Sequence, residues 1–285
     1  MNKKLLFISF AFTVIISQNL FAQKQDTIYK EGWHPRGVMS VGLTQVALSN
    51  WSKGGENVFA VTGISDYGVN YRKNKWVLKN SLLATLGSTK TGSGSFQTND
   101  NAAALETVLI YLVGWAVSPY VSNEFRTGIL NGYDYSAETA VQTSAFFDPG
   151  YITQSIGFTF DRPNFTSRLG LAFQETFTNQ YRQYSDDLNT NDVQEAFNFQ
   201  TGIESVTETN LNVMENFLYT SRLRFFSAFD QLDVWDVGWD NTFTAKVNDL
   251  IAVNLNFIVV YEKSQSLKTQ AKEGLNLGIT YAVFK

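Results

Sequence analysis

The chain has 285 residues, no cysteine, one histidine, 44% hydrophobic residues and a formal charge of −4. The missing thiols exclude disulfides, lipoprotein anchoring and thiol catalysis, and the acidic balance argues against a nucleic-acid partner. A single histidine leaves little scope for a metal centre or a Ser–His dyad.

Lys3 and Lys4 precede an apolar run from Leu5 to Ile16, polar Ser17 to Asn19, and Leu20, Phe21 and Ala22 ahead of Gln23. These are the three regions of a secretory signal peptide over residues 1–22. Its apolar run is shorter than the ~20 residues of a membrane-spanning helix. Cleavage after Ala22 leaves 20 basic against 26 acidic residues, a formal charge of −6. Residues 23–36, with His34 between Trp33 and Pro35, are expected to precede the first strand, and residues 37–285 to form one domain.

From Gly37 onward the chain alternates apolar and polar residues in about twelve segments, the two-residue period of strands. The first is expected over Val38–Leu48, the second over Val58–Tyr71, where Phe59, Val61, Tyr67, Val69 and Tyr71 share a face. The polar residues Arg72 to Lys75 make a tight turn into a third strand carrying Trp76, Leu78, Leu82 and Leu86. A Gly/Ser/Thr-rich loop is expected over 88–98, then a fourth strand over Ala103–Trp115, a turn near Ser118 and Pro119, and a fifth strand through Val121, Phe125 and Ile129. Further long loops are expected over 131–149, 181–194 and 263–272. Between them fall paired strands with outward Ile156, Phe158, Leu169 and Leu171 about a turn at Asp161, Arg162, Pro163 and Asn164, then Phe197, Phe199 and Ile203, turning over 207–212 into Tyr219 to Phe225. Trp235 to Phe243, the odd-numbered run Ile251 to Tyr261, and Gly274 to Phe284 complete the set.

The connections alternate short and long, as in transmembrane barrels with periplasmic turns and extracellular loops. A backbone crossing lipid must satisfy its polar groups internally, which leaves helices or closed barrels. The expected fold is therefore an all-β, antiparallel up-and-down transmembrane barrel of about 12 strands in the cell outer membrane, with residues 23–36 on the periplasmic side. Pro35, Pro119, Pro149 and Pro163 are expected outside the strands or at their ends, where a missing N–H breaks no ladder bond. Tyr71, Trp76, Trp115, Trp235 and Tyr261 at strand ends suit a lipid interface. In the last strand Asn276, Gly278, Tyr281 and Val283, with Phe284 next to last, resemble the C-terminal insertion signal of outer-membrane barrels, which implies contact with the barrel-assembly machinery.

Chemistry-bearing motifs are scarce. No HExxH, P-loop, GxSxG or calcium-loop series occurs, so no cofactor, metal or catalytic residue is expected; Asp230, Asp233 and Asp236 read more simply as a polar loop beside a polar interior. Alternation places Lys79, Glu106, Glu124, Arg126, Arg168, Glu204, Arg222, Arg224, Asp236 and Asp240 on the lumen side. They form either a selective constriction or mutually paired charges filling a narrow barrel; pairing is the simpler reading because both signs occur in similar number. Arg222 and Arg224, two cations on one face, need partners or an anion.

The stretch Leu48-Ser49-Asn50-Trp51-Ser52-Lys53-Gly54-Gly55-Glu56-Asn57 resembles a Bacteroidota outer-membrane barrel family known only as a domain of unknown function. The likeness continues through Phe147-Asp148-Pro149-Gly150-Tyr151, Trp239-Asp240-Asn241, Lys246-Val247-Asn248 and Gly278-Ile279-Thr280-Tyr281, and covers essentially the whole mature chain. It implies a fold and an address and no activity. Tyr261-Glu262-Lys263 departs from the acidic run that such proteins often carry after the tyrosine. In the first loop Trp51, Gly54 and Gly55 are expected to make a tight turn, with glycines at positive φ and Trp51 anchoring at the interface. The expected role is non-enzymatic, a structural or docking component beside outer-membrane lipid and other envelope proteins. A narrow pore for small polar or anionic solutes is the alternative.

Overall fold

The computed structural model describes residues 30–49, 55–136, 139–187, 193–262 and 268–284. The signal segment 1–22, Trp51 and Gly54 lie outside the described residues. Fourteen strands occur among those described: β1 (Gly32–Val46), β2 (Val58–Lys73), β3 (Trp76–Thr91), β4 (Gln97–Tyr111), β5 (Ser118–Thr127), β6 (Gly132–Asp134), β7 (Val141–Ser144), β8 (Gly150–Arg162), β9 (Phe165–Phe177), β10 (Phe197–Met214), β11 (Phe217–Ala228), β12 (Asp236–Lys246), β13 (Ile251–Tyr261) and β14 (Gln270–Phe284). Twelve of them close a barrel in chain order, with β14 returning to pair antiparallel with β1, while β6 and β7 form a separate hairpin. Closure removes every sheet edge, which is what permits strands this long to stay free of edge-to-edge pairing.

Alternation decides which face each residue takes. Leu275, Leu277 and Ile279 on β14, Leu169 and Leu171 on β9, and Phe158 on β8 all point outward, the last 56% exposed. Their neighbours in sequence point into the barrel. Tight turns join strands at one end: Asn74 takes φ 54°, a left-handed conformation that Asn tolerates, and its N–H donates to Glu31 Oε1 at 2.8 Å. The same end has two-residue turns at 163–164 and 215–216, and long connections emerge at the other.

Several strands run further than their alternation suggests. β3 and β4 continue past the expected loop 88–98 and leave only residues 92–96 between them, turned by Gly92 at φ 58°. Their extension is polar on both faces, so it carries no apolar alternation to read. β4 in turn ends at Tyr111, not Trp115; Leu112 folds inward and is buried, and Trp115 lies in the turn. β5 stops at Thr127, before Ile129, and β10 continues through the expected turn 207–212 to Met214.

β1 starts at Gly32, so Trp33, His34, Pro35 and Arg36 are strand residues, not a segment ahead of it. The expectation that prolines avoid strand interiors fails at Pro35 and is narrowly met at Pro119. Pro35 pairs only with Val69 of β2, because β1 meets β14 only from Gly37 onward, and Pro119 pairs with Phe158 of β8 but with nothing on β4. A strand segment with one neighbour tolerates a missing donor. His34 accordingly sits on the wall, with Nε2 2.9 Å from the Lys30 carbonyl oxygen.

The inside is not uniformly polar. Near the tight-turn end Val77, Val108, Ile110, Leu112 and Tyr120 form a buried apolar cluster, and Ala172, Phe226 and Ala228 form a second. Both reach the lumen on strands whose inward residues elsewhere are charged.

Candidate functional site: an ion-paired lumen

The charged residues singled out by alternation converge inside the barrel. Arg222 on β11 donates to Glu124 Oε1 on β5 at 2.8 Å and to Glu106 Oε1 on β4 at 3.5 Å. Along the wall β10, β9 and β8 lie between these partners, so the contact crosses the lumen. Arg168 on β9 donates to the same Glu106 oxygen at 2.5 Å, and Lys79 on β3 meets Asp161 on β8 at 2.7 Å. Arg224 donates from Nε to Glu204 at 2.8 Å and from Nη2 to Gln174 at 2.9 Å, over β10 to β9. Arg126 lies 3.6 Å from Glu124, and Arg222 Nε also donates to Glu208 at 3.3 Å.

Four carboxylates, of Glu106, Glu124, Glu204 and Glu208, thus face four guanidinium groups, of Arg126, Arg168, Arg222 and Arg224. Balanced charge answers the question that Arg222 and Arg224 pose, since each finds carboxylate partners and neither requires an anion. Arg224, Glu204, Arg168 and Glu124 are all buried. Burial strengthens their attraction but also desolvates them, so such clusters persist only where the geometry satisfies both sides. Aromatic faces support it: Arg168 sits over Tyr120 at 5.8 Å, Arg126 over Tyr151 at 5.3 Å, and Arg224 over Phe226 at 5.6 Å.

Gly157 and Gly170 make room for this. They pair across β8 and β9 with both α-carbons facing inward. A Cβ on Gly170 would fall 2.8 Å from the Tyr120 hydroxyl oxygen, so the ring that carries Arg168 rests on bare backbone. The Tyr120 hydroxyl in turn lies 3.2 Å from Ser155 Oγ.

Asp240 stands directly opposite Arg222 in the β11–β12 register, at the edge of the cluster. Asp236, expected among the lumen charges, opens β12 opposite the inward Phe226. Asp161, Glu208 and Gln174 belong to the network although alternation did not single them out. Asp161 and Glu208 fell within expected turns, and the greater strand lengths carry them inward. Gln174 carries no charge to flag it. Beside the network lies a cavity of about 190 Å³ whose lining includes Arg36, Lys79, Glu106, Thr159, Arg168 and Glu208. Among the described residues no group of three His, Asp or Glu side chains is placed to hold a metal ion.

The opposite arc of the wall is different. The inward residues of β13, β14 and β1 include Ala252, Asn254, Asn256, Gly274, Asn276, Gly278, Ser40 and Gly42. Thr242 and Thr244 donate to Asn256 and Asn254 at 2.9 and 2.7 Å, a neutral polar ladder. Gly278 and Gly42 face each other across the closing seam, next to Ala252, and Tyr281 and Val283 point outward. Charge pairs return only toward the ends of these strands: Arg36 on β1 meets Asp66 on β2 at 3.1 Å near the tight turns, and near the long loops Lys272 meets Asp100 at 2.7 Å across β1, β2 and β3.

At that end the Phe-Asp-Pro-Gly segment ties the two longest connections together. Asp148 is buried, and its carboxylate accepts the backbone N–H groups of Asn179 at 2.9 Å and Gln180 at 2.8 Å. Phe147, at φ 56°, stacks between Phe125 and Phe177 with centroids 5.5 and 5.6 Å away. Gly55 in the first loop takes φ 117°, the positive value expected there.

The fold is thus a closed twelve-stranded antiparallel barrel with an apolar exterior and an ion-paired lumen. A family model described as a protein of unknown function (DUF3078) matches residues 43–133. No curated protein matches the sequence. Among solved structures, the translocator domain of autotransporter NalP from Neisseria meningitidis is similar at 9% identity over 96% of both chains, with a TM-score of 0.39. The COG4313 outer membrane channel from Pseudomonas putida F1 is similar at 11% identity over 92% of this chain and 98% of that one, with a TM-score of 0.42. The beta domain of the Bordetella autotransporter BrkA follows at 8% identity, 90% of this chain and 100% of that one, with a TM-score of 0.31.

Proposed function

We propose that this chain is an outer-membrane β-barrel that performs no catalysis and serves as a structural or docking component of an envelope assembly. Two features support the membrane placement. The barrel leaves no open edge, and its outward residues on successive strands are apolar, as a lipid-spanning sheet requires. The observation that carries the role is the cross-lumen pairing of Arg222 with Glu124 and Glu106. On the charged arc of this lumen the side chains are tied to one another across the barrel with their charges cancelled. Such a lumen suits a rigid pedestal better than a general porin. The long-loop end would then present the partner surface, where Leu130, Val141 and Phe146 are exposed around the β6–β7 hairpin.

Purified protein in planar bilayers is expected to be electrically silent, and gentle detergent extraction of native outer membranes is expected to recover a stoichiometric partner. Discrete conductance without such a partner overturns the docking role. The second reading, a narrow pore for small polar solutes, is favoured by one observation: the inward-facing Leu83, on β3 toward the long-loop end from Lys79, is 46% exposed. Under that reading conductance is small, and substituting Gly274→Arg reduces it.

A further inference from the structure

The outward face of the barrel carries one feature that neither a membrane anchor nor the ion-paired lumen uses. Asn80 on β3, Thr107 on β4, Asn123 on β5 and Gln154 on β8 stand in a single register row, each paired directly with the next. All four point outward, by the alternation that points Leu82, Leu105, Val121 and Ile156 outward beside them. The row is enclosed on both sides. Toward one barrel end the same strands present Leu78, Leu109, Val121 and Ile156, and toward the other Leu82, Leu105, Phe125 and Ile152. β5 has ten residues, the length a barrel strand needs to cross a bilayer, and Asn123 lies at its middle. The row therefore passes through the apolar belt, out of reach of lipid headgroups.

Other outward polar pairs on the wall satisfy one another. Tyr219 donates to Asn241 at 2.8 Å, the Trp239 indole donates to Ser221 at 3.1 Å, and Ser167 and Thr207 hydroxyls are 3.1 Å apart. Within the row Thr107 donates to Asn80 Oδ1 at 2.8 Å, which leaves the Asn80 amide N–H groups unused. Asn123 and Gln154 make no side-chain hydrogen bond among the described residues. Exposed amides in hydrocarbon are costly, and in membranes such side chains bond across protein contacts.

We infer that this row is the centre of a contact between two copies of the chain within the membrane. The chemistry selects that occupant: the row is uncharged, so it matches neither an anionic nor a cationic partner, and every amide in it both donates and accepts. A two-fold axis through the row sets Asn123 against Gln154 of the second copy and closes two N–H···O bonds per pair. Isologous contacts of this kind are self-complementary by construction. The inference rests on the membrane placement proposed above.

Because the chain has no cysteine, single substitutions report the contact cleanly in native membranes. Recovery in the outer-membrane fraction is scored first; its failure overturns placement and contact together, whereas membrane-borne monomers overturn the contact alone. With a short bis-maleimide cross-linker, which spans the diagonal across the two-fold that a disulfide does not reach, Asn123→Cys and Gln154→Cys are expected to give a band of doubled mass, while Val259→Cys, outward on β13, stays single. Equal cross-linking at all three positions, or none at Asn123 and Gln154, overturns the inference. As a second arm, Asn123→Leu with Gln154→Leu is expected to keep heat-modifiable migration and to shift the protein to monomer on native gels. A species of unchanged size contradicts the contact.

Discussion

The two arcs of the lumen wall are built on opposite plans. From β3 through β11 the inward side chains include long charged ones joined across the barrel, and the pairs Lys79–Asp161, Arg168–Glu106 and Arg222–Glu124 tie together strands that are not neighbours. Through the middle of β13, β14 and β1 they are small or neutral, and the asparagines of β13 bond only to the adjacent β12. One arc is held by the lumen, the other by its own ladder. The difference teaches that ladder hydrogen bonds suffice to close a barrel whose width strand number and stagger set, while side chains that meet inside brace one arc of it against another.

The comparison is broken most severely at Arg224. Arg224→Leu strands the buried carboxylate of Glu204, and loss of one partner of a buried pair costs about 3–5 kcal/mol. A large fall in the urea midpoint of the detergent-folded barrel is expected, with much of it restored by adding Glu204→Leu. A smaller loss follows from crowding the same arc without touching a charge. Gly170→Ala pushes against Tyr120, and overpacking of this kind costs about 1–3 kcal/mol; near-ultraviolet circular dichroism should change with it. Asp148→Ala leaves the N–H groups of Asn179 and Gln180 without their acceptor, a local cost of about 1–3 kcal/mol. Its expected signature is faster proteolysis within residues 178–196 with the barrel midpoint nearly unchanged. The smallest effect belongs to the neutral arc: Asn256→Arg removes the acceptor of the half-buried Thr242 hydroxyl and strands no charge, with stability expected to fall by only about 0.5–1.5 kcal/mol. A loss at Asn256→Arg as large as that at Arg224→Leu would erase the distinction between the arcs.

Much of this was legible in the residues themselves. Period-two alternation identified an all-β chain, separated outward Leu and Phe from inward charges, and placed Glu106, Glu124, Arg168, Glu204, Arg222 and Arg224 in the lumen. It failed where alternation stops carrying apolar contrast. The polar ends of β3, β4, β8 and β10 read as loop and turn, and Asp161 on β8 and Glu208 on β10 were missed with them. His34 and Pro35 read as a leading segment because proline argues against a strand, an argument that weakens where β1 has only one neighbour. The amide row was invisible for another reason: Asn80, Thr107, Asn123 and Gln154 are unremarkable singly, and only register aligns them.

What the sequence by itself determined is therefore local: strand, turn and face follow from neighbours two residues apart, because the pleat fixes the direction of each side chain. Who pairs with whom was decided by closure. Arg222 and Glu106 are 116 residues apart, and no pattern along the chain states that they meet. The curvature of a twelve-stranded sheet brings their strands to face each other, and charge balance in a confined space then selects the partners.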